Sequence, residues 1–143
     1  MKKTFLIVIA NYYEDISLGL LNSALNIIPK SNKIRIIKVP GVFEIPVTIS
    51  KNIKKYDGFL ALGCVIKGET PHFDFISQAS TNAIMDLSIK NKKPIGNGII
   101  TCLNMRQAKA RKKKGAEAAN AVISILSQKW ELLLIKKIIL EWL

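Results

Sequence analysis

The sequence predicts a three-layer α/β domain, with a four-stranded parallel sheet covered by helices on both faces. Three observations carry that prediction. Apolar strand-like runs alternate with longer stretches of helical periodicity, the connections between them are short, and the third apolar run is hydrophobic at nearly every position, as a strand covered on both sides should be.

Thr4–Ala10 is the first strand, an unbroken apolar run behind a basic Met1-Lys2-Lys3. Leu18, Leu21, Leu25 and Ile28 then recur at helical spacing. Lys33–Val39 is the second strand, stopped by Pro40, and Ile45–Lys54 is a short helix. Gly58–Val65 is the third strand, Phe73–Lys90 a long helix and Ile95–Thr101 the fourth strand. Asn104–Lys112 and the stretch from Ala116 onward read as helices, with Gly115 between them. No repeat or Pro/Gly/Ser-rich linker divides the chain, so residues 1–143 form one domain.

Composition excludes several classes. With 49% apolar residues the chain is not disordered as a whole. Two cysteines, Cys64 and Cys102, both in apolar stretches, are too few for a disulfide framework and read as reduced core thiols. The apolar run after Met1-Lys2-Lys3 is short for a signal peptide, and Asn11-Tyr12-Tyr13-Glu14-Asp15 is a poor cleavage site. No stretch reaches the roughly 20 apolar residues of a membrane span. A cytoplasmic enzyme with no membrane partner is expected. The net charge of +12 favours anions such as phosphate esters without choosing among them.

In parallel α/β sheets, ligands bind beyond the carboxyl ends of the strands. There the sequence carries its least ordinary residues: Tyr12 and Tyr13 after the first strand, Pro40-Gly41-Val42-Phe43-Glu44 after the second, and Lys67-Gly68-Glu69-Thr70-Pro71-His72 after the third. His72 is the single histidine, at a strand-to-helix junction. Gly68 lets the backbone approach a ligand, and N–H groups at a helix start attract anions. By itself this pattern suggests a phosphate site beside a proton-transfer group. A capping or surface histidine is the plainer alternative.

Two segments go further. Pro40-Gly41-Val42-Phe43-Glu44-Ile45-Pro46 and Val65-Ile66-Lys67-Gly68-Glu69-Thr70-Pro71-His72 resemble, in order and placement, the two motifs of the lumazine synthases. The likeness runs from about Thr4 to Lys129, and it implies a flavodoxin-like sheet. It also implies a transferase of riboflavin biosynthesis that joins 5-amino-6-(D-ribitylamino)uracil to 3,4-dihydroxy-2-butanone 4-phosphate, giving 6,7-dimethyl-8-ribityllumazine, phosphate and water. No cofactor and no metal are implied.

Position by position, the resemblance makes Tyr12 the ring that stacks on the pyrimidine. It gives Val42, Phe43 and Glu44 to the ribityl chain and ring, and Cys64, Val65 and Ile66 to ring contacts. Gly68, Glu69 and Thr70 become the phosphate-binding backbone, Arg111 the phosphate's arginine and His72 the proton-transfer residue. It further implies a homo-oligomer, a pentamer or a multiple of pentamers, with Asn97 reaching a neighbour's site. Riboflavin synthase is a further partner it allows.

Three features depart from the family pattern. Asn97 stands where many relatives have phenylalanine, the Lys112–Lys114 loop is short, and residues 131–143 form an unusually apolar tail. A flavin electron carrier would need a Ser/Thr-rich loop after the first strand, which Asn11-Tyr12-Tyr13-Glu14 is not. A nucleic-acid module would need aromatic residues interleaved with its basic run, and none is present. Schiff-base chemistry at Lys67 conflicts with the arginine that relatives carry there.

Overall fold

The computed structural model describes residues 2–143, apart from the side chains of residues 129–134. Four strands form one sheet: β1 (Thr4–Ala10), β2 (Lys33–Val39), β3 (Gly58–Ile66) and β4 (Ile95–Cys102). They lie in the order β2-β1-β3-β4, and every pairing is parallel. The helices are α1 (Glu14–Ile27), α2 (Ile45–Asn52), α3 (His72–Asn91), α4 (Met105–Ala110), α5 (Lys114–Leu126) and α6 (Lys129–Trp142), with a short 3-10 turn at Val42–Glu44.

Alternation along the strands separates two cores. Phe5, Ile7 and Ile9 of β1 join Leu60, Leu62 and Cys64 of β3 beneath α1 and α5. Leu6, Val8 and Ala10 face the opposite way, with Phe59, Ala61, Val42, Ile45, Ile49 and Ile84. Nearly every residue of β1 and β3 is therefore buried, which explains their continuous apolar character. Burying each large side chain stabilises the fold by about 1.5–3 kcal/mol. The edge strand β2 has exposed or half-buried residues up to Val39, and it alternates charge with apolar groups.

The chain leaves β1 toward β2 on one side, and β3 lies on the other. This is the switch point of an open α/β sheet, where the flanking loops diverge and leave a crevice. The bend after β1 is braced at both ends. Asn11 N–H donates to Val39 O at 2.9 Å, Ser17 N–H donates to Tyr13 O at 2.9 Å, and the Ser17 hydroxyl donates to Ala10 O.

The expected strands start where the sequence puts them, and β3 and β4 each run one residue further. The region after β4 differs more. Helix α4 ends at Ala110, short of the expected Lys112, and the break between the helices falls at 111–113, so that Gly115 is the second residue of α5 rather than part of the break. The reason is close packing. A Cβ on Gly115 would lie 1.9 Å from Leu20 O and 2.5 Å from Ser23 Oγ, so only glycine lets α5 approach α1 here. Ser23 completes the contact, its hydroxyl donating to Lys112 O at 2.8 Å and accepting from Ala116 N–H at 3.0 Å. The tail forms α6, and its Ile135, Ile138, Ile139, Leu140 and Trp142 are exposed. Among the described residues, no helix is long and apolar enough to cross a membrane.

The α1–α5 contact yields a prediction. Gly115→Ala should destabilise the fold by about 2 kcal/mol or more, because the added carbon meets backbone that cannot move alone. A denaturant midpoint unchanged from the parent would contradict the close approach.

Candidate active site

At the carboxyl ends of β1 and β3, a cavity of about 640 Å³ opens between the loops. That volume is within the ordinary range for small-molecule sites. Of the residues singled out in the sequence, it brings together Tyr12, Val42, Phe43, Glu44, Cys64, Val65, Ile66 and His72. Tyr13, Gly41 and Ile76 also line it; Tyr13 and Gly41 stand among the strand-end residues marked by the sequence, which gives none of the three a particular role. Ile76 had a signal available, since it follows His72 by one helical turn.

Each wall has a local cause. Gly63 leaves room for the segment after β2. A Cβ there would meet Val42 Cγ2 at 2.8 Å and Ala10 Cβ at 3.0 Å. Val42 is thereby buried against the sheet, which turns the neighbouring Phe43 outward, 63% exposed. The Glu44 carboxylate folds back over Gly41, where a Cβ would lie 3.3 Å from Oε1. Glu44 also begins α2: its N–H donates to Gly41 O at 3.2 Å and its carbonyl accepts from Thr48 Oγ1 at 2.8 Å.

His72 is the first residue of α3 and is exposed, its N–H donating to Thr70 Oγ1 at 3.4 Å. Gly68, Glu69 and Thr70 are exposed just ahead of the helix and do not line the cavity itself. Nothing lies within 4 Å of where a Gly68 Cβ would be, so the backbone there faces open space. The 20-residue helix that follows carries partial positive charge at its start, though His72 N–H and Asp74 N–H already have partners in Thr70 Oγ1 and Pro71 O.

Two expected residues lie elsewhere. Asn97 is exposed on the edge strand β4, where its Oδ1 accepts from Ile99 N–H at 3.1 Å. Arg111 follows α4, with Nη1 donating to Gln107 O at 3.2 Å. It lines a second, polar cavity of about 420 Å³ with Thr101, Lys113, Lys114 and Glu117. Lys114 pairs with Glu117 at 3.0 Å. Lys112 is different. Its stem crosses Gly19 of α1, and a Cβ on that glycine would lie 2.4 Å from Lys112 Cδ. Of the short lysine loop, Lys113 and Lys114 face the cationic cavity, while Lys112 ties the loop to α1.

Comparison with known proteins bears on what the cavity is for. The family model of 6,7-dimethyl-8-ribityllumazine synthase matches residues 2–129. The chain belongs to this family. The synthase of Bartonella henselae is 45% identical over 87% of this chain and 86% of its own length. That of Bartonella bacilliformis is 44% identical over 84% and 88%, and that of Agrobacterium fabrum 41% over 92% and 97%. The chain is thus an enzyme of riboflavin biosynthesis. The match to the family model ends where α6 begins.

The cavity's cysteine is chemically quiet. Burial, together with the adjoining Cys102 thiol, pushes Cys64 up to about 12, and both cysteines are free. Since the thiolate is the nucleophile, Cys64 in the folded protein should react with iodoacetamide at pH 8 at least about 100-fold more slowly than an unperturbed cysteine. Its rate should climb with pH toward 12. Rapid alkylation near neutrality, followed by mass spectrometry, would contradict this environment.

Proposed function

We propose that this chain condenses 5-amino-6-(D-ribitylamino)uracil with 3,4-dihydroxy-2-butanone 4-phosphate to 6,7-dimethyl-8-ribityllumazine, releasing phosphate and water. The observation that carries the proposal is one cavity lined by residues from three strand ends: Tyr12, Phe43 and Glu44, Val65 and His72. Its walls suit a flat heterocycle with a polyol arm. The exposed Tyr12 offers a ring face to the pyrimidine, Val65 and Ile66 give apolar edges, and the Glu44 carboxylate accepts hydrogen bonds from ribityl hydroxyls.

The reaction needs alignment and modest proton transfer. The substrate's amine is itself the nucleophile and attacks the ketone. Loss of a first water forms the imine, phosphate leaves, and the second amine closes the ring onto the remaining carbonyl with loss of a second water. Holding both substrates in one cleft supplies most of the advantage. His72, at the start of α3 beside the open Gly68–Thr70 backbone, is suited to carry protons to and from the atoms near the departing phosphate. The helix start favours the phosphate's negative charge.

The cleft is open, and Arg111 and Asn97 lie outside it. We infer that a second copy of the chain closes it, supplying Asn97 and the cationic group of Arg111, Lys113 and Lys114. Contacts of this kind repeat head to tail and close into a ring, here of at least five chains. Exposed apolar groups on α6 add a reason to bury surface between copies.

Mixing the two substrates with the protein and following lumazine absorbance tests the reaction directly. His72→Ala should fold normally and turn over about 10-fold more slowly or worse, the low end for an acid–base group. Turnover equal to the parent's would remove the proton-transfer role.

Arg111→Ala should raise KM for the butanone phosphate by about 10- to 150-fold, as loss of a charge-assisted bond of about 1.5–3 kcal/mol implies, with little change for the pyrimidine. Mixed assemblies of His72→Ala and Arg111→Ala chains should regain activity that neither has alone. A fully active monomer, or mixtures no better than their parts, would contradict the shared site.

A further inference from the structure

Tyr13 lines the cavity but belongs to neither motif. It and its neighbour are held very differently. Tyr12 is 76% exposed. Tyr13 is half-buried, its ring packed against the core beneath α1 that contains Ile16, Leu62 and Cys64. The two rings meet edge to face, with centroids 4.9 Å apart and planes at 80°. Among the described residues this is the only aromatic contact Tyr12 makes. The backbone beneath the pair is fixed as well, by the hydrogen bonds of Asn11 and Ser17 that brace the bend after β1.

An exposed aromatic side chain ordinarily samples several rotamers, and a ligand that stacks on it must pay for selecting one. An anchored ring beside it removes part of that cost before binding. We propose that Tyr13 is a positioning residue, whose core-anchored ring holds Tyr12 edge-on at the cavity mouth with the Tyr12 face turned to the pyrimidine. The inference rests on the reading in which Tyr12 stacks on that substrate.

This assignment separates the two substrates. Tyr13 acts through Tyr12, so its ring affects the pyrimidine and leaves the phosphate substrate and the chemical step alone. Burial first, then the neighbouring Tyr12 and Cys64, raise the Tyr13 phenol above its ordinary pKa. It therefore stays protonated across the working range and adds no inflection to the pH profile.

The test compares Tyr13→Phe, which keeps the ring, with Tyr13→Met and Tyr13→Leu, which keep apolar bulk without it. Thermal melting checks that each has folded. Loss of an edge-to-face pair should raise the pyrimidine KM in the Met and Leu variants by about 2- to 10-fold. Their kcat, and their KM for the butanone phosphate, should stay within about 2-fold of the parent, and Tyr13→Phe should match the parent throughout. Equal rises in both KM values, or a Phe variant as impaired as Met, would overturn the positioning role. So would a Phe variant with an altered pH profile. Tyr12→Ala distinguishes the two levels of the argument. If it raises the pyrimidine KM while Tyr13→Met and Tyr13→Leu do not, the positioning role alone falls. If it leaves that KM unchanged, the stacking reading falls and the inference with it.

Discussion

The site depends on the pairing of β1 with β3. These two strands run parallel from Phe5 opposite Gly58 to Ile9 opposite Leu62, buried on both faces, with the chain crossing between them by way of β2. Since a one-residue slip would exchange side chains between two differently packed cores, moving Phe5, Ile7 and Ile9 into the places of Leu6, Val8 and Ala10, their ends are fixed relative to each other. Tyr12 and Tyr13 follow one end, and Cys64, Val65 and Ile66 form the other. Val42 is drawn into the gap above Gly63, bringing Phe43 and Glu44 into the same opening. Every wall of the cavity is thus set by core packing a few residues away, leaving the loops free to carry chemistry.

Much of this was legible in the sequence, because fully buried parallel strands write themselves as unbroken apolar runs and Pro40 punctuates the second. Of the cavity-lining residues, Gly41, Val42, Phe43, Glu44, Val65, Ile66 and His72 were legible for a different reason: they lie in two multi-residue segments shared with a known family, whereas Tyr12 and Cys64 followed from the likeness along the rest of the chain. Tyr13 was not, since half-burial against Leu62 and Cys64 is a fact of three-dimensional packing that no local pattern announces. Gly115 misled for a related reason. Glycine ordinarily weakens a helix, and only the approach of α5 to Leu20 makes it the residue that the first turn of α5 requires. The edge strand β2 was simpler to read, its lysines and arginine marking positions that water reaches.

In the proposed assembly, one chain holds most of a binding site and the means to complete another. The crevice at the switch point carries Tyr12, Glu44 and His72. The cationic group beside α4 and α5 lies apart from it, on the far edge of the sheet past β3. A fold this small has no second layer of loops with which to cover its own crevice. Separation of the two groups is the ordinary consequence of a four-stranded sheet whose edge strands face outward.

Cys64 carries a consequence for selectivity. A ketone activated for attack by an amine is equally open to a thiolate, and a sulfur anion in the wall would add to it reversibly and hold the substrate in a dead-end adduct. With its proton retained far above neutrality, the Cys64 sulfur is a passive, polarizable surface. In the proposed condensation, the incoming amine then meets no competing nucleophile from the wall. The same burial that packs β3 against α1 thereby keeps the Cys64 sulfur in its protonated, silent form.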